Sequence, residues 1–200
     1  MKRTEILAMA LKCFSIHGYF GCSMQQIADS VGINKATLYH YYQSKQELYL
    51  AVFDIQMENY LNIFKELPDS LPGESPRSVL FQISHTMVSS RTIDEIMFIK
   101  GTHNMLASDM EKPFMLALRE RLSACNRDIA NALSNFHPFG LDIQNDLGTT
   151  FLASYFIFIN GFLDWMLINA HVSNQDVSDK LDILFDVFWE GCNTLLPVTS

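Results

Sequence analysis

The stretch SMQQIADSVGINKATLYHYYQSK, residues 23–45, predicts two short helices joined by a tight turn. Its first half carries one apolar stripe at helical spacing, formed by Met24, Ile27, Ala28 and Val31. Ser23 and Gln26 have the spacing of a capping box, in which the side chain of each residue satisfies a backbone N–H of the other. Gly32 supplies the left-handed residue that ends this first helix.

The second helix of this stretch presents polar and aromatic side chains to the outside. Asn34 is placed to cap a helix over residues 35–42, in which Leu38 and Tyr42 face inward. Two helices joined by so short a turn cross steeply, as in a helix-turn-helix. The outward or flanking positions are Lys35, Ala36, Thr37, Tyr39, His40 and Tyr41. Such a surface suits the bases and phosphates of a DNA major groove, so the stretch predicts DNA recognition.

Charge is distributed unevenly along the chain. The net charge is −8, yet residues 1–50 carry five basic and three acidic side chains, a net charge of +2. The other 150 residues carry nine basic and nineteen acidic side chains, a net charge of −10. This asymmetry predicts a DNA-binding head on an acidic body. Because the positive charge is small for a DNA-binding domain, we expect weak non-specific affinity and a dependence on dimerisation.

The rest of the sequence predicts helices and no convincing strand. With 48% apolar residues, the 200-residue chain can build a sizeable core. Ser44 with Glu47, and Thr92 with Glu95, form two further capping boxes. Proline and glycine over residues 68–76 mark a linker. The predicted helices cover residues 3–18, 24–31, 35–42, 44–67, 76–89 and 92–107, a segment from after Asp109 to Phe136, and residues 143–170 and 176–195.

The four cysteines, Cys13, Cys22, Cys125 and Cys192, are scattered along the chain. They show neither a CxxC motif nor the spacing of a zinc site. This pattern favours reduced thiols in a cytosolic protein over a disulfide framework. The expected role of each cysteine is packing, and a redox-sensing thiol is the alternative.

One uncharged segment, Gly148–Leu163, is similar to a membrane span in composition. It is shorter than the ~20 residues that a spanning helix needs, and Asp164 follows it directly. We therefore expect a buried helix and no membrane partner. Lys2 and Arg3 are followed by no apolar segment of the kind found in signal peptides, so a cytoplasmic protein is expected.

The run ILAMALKCFSIHGYFGCSMQQIADSVGINKATLYHYYQSKQELYLAVF, residues 6–53, resembles the N-terminal head of TetR/AcrR-family transcriptional regulators. The matched positions are Ile6, Leu7, Ala10, Phe14, Gly18, Tyr19, Ser23, Met24, Ile27, Ala28, Gly32, Ile33, Lys35, Thr37, Leu38, Tyr39, Tyr42, Ser44, Lys45 and Leu48. The sequence differs from the usual family residues at Met9 and Ala36, where small residues or Gly are usual, and it has Tyr42 in place of the commoner Phe. If Tyr42 is buried, its hydroxyl needs a hydrogen-bond partner.

The resemblance implies an all-α, nine-helix TetR-like fold. Residues 1–47 would form a helix-turn-helix head, and residues 48–200 an effector-binding and dimerisation body; we use these two names throughout. It further implies a homodimer on a palindromic DNA operator, with helices 8 and 9 paired across the dimer and release of the operator by a small-molecule effector. Carried over residue by residue, the DNA contacts are Ser23, Lys35, Ala36, Thr37, Tyr39, His40, Tyr41 and Lys45.

The body contains candidate residues for an effector site and for a dimer interface. Polar residues among apolar neighbours can orient an effector, or can be hydrogen-bonded core residues; these are His85, His103, Asn104, Tyr155 and Asn160. The abundance of Phe and Met predicts a largely apolar or aromatic effector. Candidate dimer contacts, with burial inside one chain as the alternative, are Phe158, Phe162, Trp165, Leu181, Phe185, Phe188 and Trp189.

Together these patterns predict a ligand-responsive, homodimeric transcriptional repressor with no cofactor and no metal ion. The alternative is an activator or chromosome-organising factor of the same fold that has no small-molecule ligand. An enzyme on a helical bundle is disfavoured, because the sequence shows no paired carboxylates and no HExxH, GxSxG or P-loop motif.

Overall fold

A computed structural model describes residues 2–70, 74–106, 113–133 and 145–195. Over these ranges the chain forms nine helices and no strand, which confirms the all-α prediction. The helices are α1 (Lys2–Gly21), α2 (Met24–Val31), α3 (Lys35–Tyr41), α4 (Lys45–Ser70), α5 (Pro76–Ser89), α6 (Ile93–Leu106), α7 (Pro113–Ala132), α8 (Asp146–Ile168) and α9 (Asn174–Leu195).

The helix limits lie within a few residues of the predicted ones wherever both ends are described. One difference is that α4 continues to Ser70, so that Pro68 lies inside its last turns instead of ending it. Other predicted features lie outside the described residues. These are the linker at 71–73, the helix start after Asp109, the helix end at Phe136 and the break at 137–140.

The last turn of α1 contains a change of direction at Gly18. This glycine has φ 65° and ψ 174°, which is not helical, so the regular helix ends where the sequence predicted it to end. A positive φ favours glycine because a Cβ would strain this conformation. The amide of Cys22 then donates a hydrogen bond to the Gly18 carbonyl over 3.1 Å, and the chain turns back toward α1.

The prediction of four reduced thiols is wrong for two of them. Cys13 and Cys22 form a disulfide, with Cα atoms 5.9 Å apart and a sequence separation of 9 residues. The pairing depends on the turn at Gly18, which returns Cys22 to α1, and no cysteine spacing motif encodes such a turn. Cys125 and Cys192 are not part of a disulfide.

The chain divides into two compact units, which are described separately. The first unit is Met1–Asn59 with Thr92–Cys125, and the second is Tyr60–Arg91 with Asn126–Ser200. Both α4 and α7 contribute residues to each unit. The predicted boundary between residues 47 and 48 divides the chain by function, whereas these units reflect packing, so that boundary stays a prediction.

The core of the first unit extends beyond the head. Buried residues of α1 to α3 share one apolar cluster with residues of α4, α6 and α7, among them Leu48, Tyr49, Phe53, Phe98, Met115 and Leu118. Burial of such a side chain stabilises the fold by about 1.5–3 kcal/mol. The hydroxyls of Tyr49 and Thr102 lie 2.6 Å apart in this cluster, which satisfies the polar end of the tyrosine.

The second unit contains α5, α8 and α9. Its core includes Leu80, Ile83, Phe151, Tyr155, Ile159, Leu181 and Phe185. In length and composition α8 could cross a membrane, with 23 residues and a mean hydropathy of 1.6 in its most apolar window. The same properties are found in core helices of soluble proteins. However, only 33% of that window is buried, so the described residues cover α8 less than the expectation of a buried helix required.

Candidate nucleic-acid interface

Helix α2 is held by caps at both ends. The Ser23 amide donates to Gln26 Oε1 over 2.8 Å, and the Gln26 amide donates to Ser23 Oγ over 3.2 Å, which confirms the predicted capping box. At the other end Gly32 is left-handed, with φ 70°. Its amide and that of Ile33 donate to the carbonyls of Asp29 and Ala28, a Schellman arrangement. These caps fix both ends of an eight-residue helix that has little stability alone.

Helix α3 begins within three residues of Gly32. The Thr37 amide donates to Asn34 Oδ1 over 2.7 Å, which confirms the predicted cap. Leu38 and Tyr42 are both buried, as the spacing predicted. The Tyr42 hydroxyl accepts a hydrogen bond from Arg3 Nε over 3.1 Å, so the family departure at this position is compensated by a partner on α1.

The opposite face of α3 is open to solvent. Lys35, Ala36, Tyr39, His40 and Tyr41 are all exposed. The Lys35 ammonium lies 5.9 Å from the centre of the Tyr39 ring, so these two side chains share one face, one helical turn apart. Five of the eight predicted DNA contacts therefore lie together on the surface of one short helix.

Ser23 and Thr37 lie at the starts of α2 and α3, with their hydroxyls engaged in capping. Ser23 Oγ donates to Gln26 Oε1 over 2.7 Å, and Thr37 Oγ1 donates to Asn34 Oδ1 over 2.8 Å. Ser23 is exposed and Thr37 is half-buried. Each hydroxyl stabilises the start of its helix in the free protein. To donate to a DNA phosphate, the hydroxyl would have to give up this capping hydrogen bond.

Lys45 differs from the other predicted DNA contacts because its ammonium points into the head. Nζ donates to the carbonyls of Tyr19 and Cys22 over 2.7 and 2.9 Å. It also lies 4.5 Å from the centre of the Tyr19 ring. Burial lowers the pKa of Lys45. The side chain therefore ties the start of α4 to the connection between α1 and α2.

The predicted effector residues are distributed over both compact units. His103 and Asn104 are exposed on α6 in the first unit. In the second unit His85 Nε2 lies 2.6 Å from Asp182 Oδ1, and Asn160 Nδ2 donates to the Phe156 carbonyl over 2.8 Å. Tyr155 is buried, its hydroxyl is 2.9 Å from Ser84 Oγ, and burial raises its pKa.

The predicted dimer residues are buried to different extents inside the chain. Leu181 and Phe185 have no exposed surface, and Phe162 and Trp189 have little. An open groove of about 350 Å³ lies between α8 and α9, which we call the α8–α9 groove. It is lined by Phe158, Gly161, Phe162, Trp165, Leu184, Val187 and Phe188, and four of these were predicted as dimer contacts.

Several surface residues of interest were absent from the predicted sites. On α8 and α9, Ile157, Ile183 and Val187 are 75%, 64% and 65% exposed, more than any predicted dimer residue. Ile183 and Val187 are four residues apart, so a helical projection of α9 would have shown them on a face away from the buried Leu181 and Phe185.

In the head, Lys2 Nζ donates to the Val31 carbonyl over 3.2 Å, a contact that sequence spacing does not encode.

The geometry of α2 and α3 is that of a helix-turn-helix module with an exposed second helix. Residues 6–52 match the family described as bacterial regulatory proteins, tetR family. The head of this chain is therefore similar to the DNA-binding domain of TetR-family transcriptional regulators.

Two curated relatives are similar over the head. The transcriptional repressor AcnR of Corynebacterium diphtheriae is 36% identical over 52 residues, which are 26% of this chain and 27% of AcnR. The transcriptional activator FasR of Mycolicibacterium smegmatis is 38% identical over 61 residues, which are 30% of this chain and 28% of FasR. The matched segments thus span little more than a quarter of these relatives.

Two solved structures share the fold over almost the full length. FadR from Bacillus subtilis, in complex with stearoyl-CoA, has a TM-score of 0.65 and 16% identity, covering 94% of this chain and 98% of FadR. AibR, in complex with isovaleryl coenzyme A and operator DNA, has a TM-score of 0.61 and 21% identity, covering 92% of this chain and 98% of AibR. At these identities the likeness shows a common fold.

Proposed function

We propose that this protein is a homodimeric, cytoplasmic transcriptional repressor that binds a palindromic operator and releases it on binding a mostly apolar effector. The observation that carries the DNA-binding part is the exposed face of α3. It presents Lys35, Tyr39 and His40 on a helix whose position is fixed by the Asn34 cap and the buried Leu38.

The chemistry of this face suits a major groove. An ammonium donates to guanine O6 and N7 or to a phosphate, and tyrosine and histidine donate to base edges or phosphates. Ala36 offers a methyl group to a thymine methyl. With Lys45 turned inward, the positive charge at the groove comes mainly from Lys35, and two copies of the head are needed for tight binding.

The α8–α9 surface supports the dimer. Val187 lines the α8–α9 groove and is exposed, and Ile157 and Ile183 are exposed on the same two helices. Exposed apolar surface that forms a large patch marks an interaction site. A second copy of the chain can cover this face about a twofold axis, because such an axis places the same surface on both sides of an interface. The half-sites of the operator would then be ~34–36 Å apart.

The effector part of the proposal rests on the chemistry of the body and on the two acyl-CoA complexes among its structural neighbours. Acyl-CoA thioesters have an apolar chain, which suits a body rich in Phe and Met. An effector that prefers one arrangement of the body would shift the population toward it. Helix α4, which contributes to both compact units, would pass the change to the spacing of the two α3 helices, with a coupling of about 1–3 kcal/mol.

The test of DNA binding compares two exposed lysines of the head. A duplex is first selected from random-sequence DNA with the wild-type protein. Lys35→Ala and Tyr39→Ala should each weaken binding to this duplex by about 10-fold or more. Lys12→Ala removes an exposed lysine of the same head from α1 and should bind as the wild type does. Equal affinities of Lys35→Ala and Lys12→Ala would contradict the proposed interface.

The test of regulation uses a reporter gene that carries the selected duplex in its promoter. We expect lower expression in the presence of the protein, which distinguishes a repressor from an activator. Acyl-CoA thioesters of increasing chain length then serve as probes for release of the duplex. If none of the thioesters changes the affinity for the duplex, an acyl-CoA effector is contradicted. The result of the DNA-binding test would still stand.

A further inference from the structure

The disulfide of the head takes no part in the function proposed above. Cys13 lies in α1, and Cys22 is the residue directly before Ser23, the cap of α2. The bond therefore closes a short loop that contains the turn at Gly18. It attaches the start of α2 to α1 by a covalent link next to Ser23, a predicted DNA contact.

The segment before Ser23 is held by three independent attachments. The disulfide holds the Cys22 side chain, Lys45 Nζ holds the Tyr19 and Cys22 carbonyls, and the Cys22 amide is bonded to Gly18. Of these three, the disulfide is the one that a redox reaction can open. Its opening leaves the segment with hydrogen bonds alone.

Access to the two sulfur-bearing residues is unequal. Cys13 is partly exposed, whereas Cys22 is buried at 1% exposure. Small reagents therefore meet Cys13 first, and Cys22 is placed to react with the modified Cys13. The two cysteines outside the disulfide are less suited to such chemistry. Cys125 is buried, and burial raises the pKa of Cys192, which lowers its thiolate fraction.

We propose that Cys13 and Cys22 form a reversible thiol–disulfide site for hydroperoxides and small thiols, and that the disulfide form of the head binds DNA more tightly. The chain-entropy model explains the direction. A cross-link removes conformations of residues 14–21, so the start of α2 is ordered before it meets DNA. A segment that is already ordered in the free protein loses less conformational entropy on binding, so the affinity for DNA is higher.

The oxidation balances with hydrogen peroxide as the oxidant. The Cys13 thiolate attacks one oxygen, the O–O bond breaks, and the other oxygen leaves as hydroxide and becomes water on taking a proton. The Cys22 thiolate then attacks the sulfur of the Cys13 sulfenic acid. The S–S bond forms, the S–O bond breaks, and a second water is released. Two thiols have lost two electrons, which the peroxide has gained.

A dithiol reverses the reaction by exchange. One of its thiolates attacks the sulfur of the partly exposed Cys13, and Cys22 leaves and takes up a proton. The second thiol of the reagent then attacks the mixed disulfide, closes the reagent's own disulfide and releases Cys13 as a thiol. No further reactant is needed.

The experiment rests on the proposed function for its DNA readout and has a second readout without DNA. Full-length protein is treated with hydrogen peroxide or with dithiothreitol, and differential alkylation with mass spectrometry maps the Cys13–Cys22 bond. Binding is measured on duplexes selected from random-sequence DNA with each form. Hydrogen exchange of amides 19–26 is measured without DNA.

The expected result is about 10-fold tighter binding and slower exchange of amides 19–26 in the peroxide-treated protein. Cys13→Ser, at a partly exposed position, should lose both effects, and Cys22→Ala should do the same if circular dichroism shows that it folds. Cys192→Ser should retain both. Equal affinity of the two forms with the bond mapped as opened, or a response that persists in Cys13→Ser, overturns the proposal.

Failure of the proposed function gives a different pattern. If neither form selects any duplex, DNA binding itself is contradicted. The redox site is then judged by alkylation and exchange, and a bond that does not re-form with peroxide, or unchanged exchange of amides 19–26, overturns it.

Discussion

The head and the α8–α9 surface of the body are specified in different ways. In the head, short-range signals close each element: a capping box and a left-handed glycine bound α2, and an asparagine caps α3. In the body, α8 is long and apolar and α9 is long with one apolar face, and they leave Ile157, Ile183 and Val187 exposed. The caps of the helix-turn-helix thus lie within a few residues of the helix ends that they close, whereas α8 and α9 keep apolar side chains that the described residues leave exposed.

The largest expected effect concerns equivalent core residues of the two regions. Leu38 in the head and Leu181 in the body are both fully buried. Truncation of either to Ala should lower the free energy of unfolding by about 2–5 kcal/mol, measured by urea titration, because each leaves a cavity. Leu38→Ala should lower DNA affinity more, since Leu38 positions α3. Leu116→Ala, at an exposed site of α7, is the control and should cost little.

The second prediction tests the uncovered face of the body. Val187→Asp should weaken dimerisation by about 100-fold, because a twofold interface would bury two unpaired carboxylates at once. Sedimentation equilibrium or mass photometry measures this change. Ile16→Asp introduces the same charge at a residue of α1 that is 56% exposed, similar to the 65% of Val187, and should leave the dimer intact. A dimer that Val187→Asp does not weaken would contradict the proposed interface.

The third prediction compares one buried tyrosine from each compact unit at alkaline pH. Burial raises the pKa of Tyr49 from 10.0 to about 12, and it also raises the pKa of Tyr155. The folded state therefore keeps protons that the unfolded state loses. This contribution is fully present below pH 10 and is lost as the pH rises toward the folded pKa values.

For Tyr49 the loss should be about 1.4 kcal/mol per pH unit between pH 10 and 12. Denaturant titrations over this range should show a shallower decline in Tyr49→Phe and in Tyr155→Phe than in the wild type. Tyr41→Phe, at an exposed position, is the control and should keep the wild-type profile. If the free energy of unfolding of Tyr49→Phe falls with pH as steeply as that of the wild type, the raised pKa of Tyr49 is contradicted.

The smallest expected effect concerns two glycines. Gly32→Ala should destabilise the head by about 1–2 kcal/mol, because its φ of 70° is left-handed and an added Cβ meets no steric clash that would confuse the result. Gly191→Ala lies inside α9, where an added Cβ also meets nothing within 4 Å. It should stabilise the protein by up to about 1 kcal/mol. Thermal denaturation measures both, and the same sign for both would contradict this reasoning.

Much of the head could be predicted because its signals are local. Ser23 with Gln26, Gly32, and Asn34 each act on atoms a few residues away, so their spacing in the sequence decides the structure. The inward direction of Leu38 and Tyr42 followed from the same periodicity. Two features of the head escaped prediction, the Cys13–Cys22 bond and the inward ammonium of Lys45, because both depend on where a turn brings distant atoms.

Less of the body could be predicted because apolar side chains at helical spacing do not reveal which neighbour covers them. Phe185 and Val187 are both apolar residues of α9, yet one is fully buried and the other is 65% exposed. Their difference depends on where α5 and α8 pack. For the same reason the partners of His85 and Tyr155, which are Asp182 and Ser84, could not be assigned from the sequence.

The exposed face of α8 and α9 has a consequence for how gene expression would depend on the amount of this protein. If two chains must meet before the operator is bound, operator occupancy at low abundance rises with the square of the chain concentration. Halving gene dosage would then reduce repression by more than half, and a sharp expression threshold would arise without any cooperativity between operators. A mutant chain with an intact dimer face and a damaged α3 would act dominantly, since it would consume wild-type chains in mixed pairs.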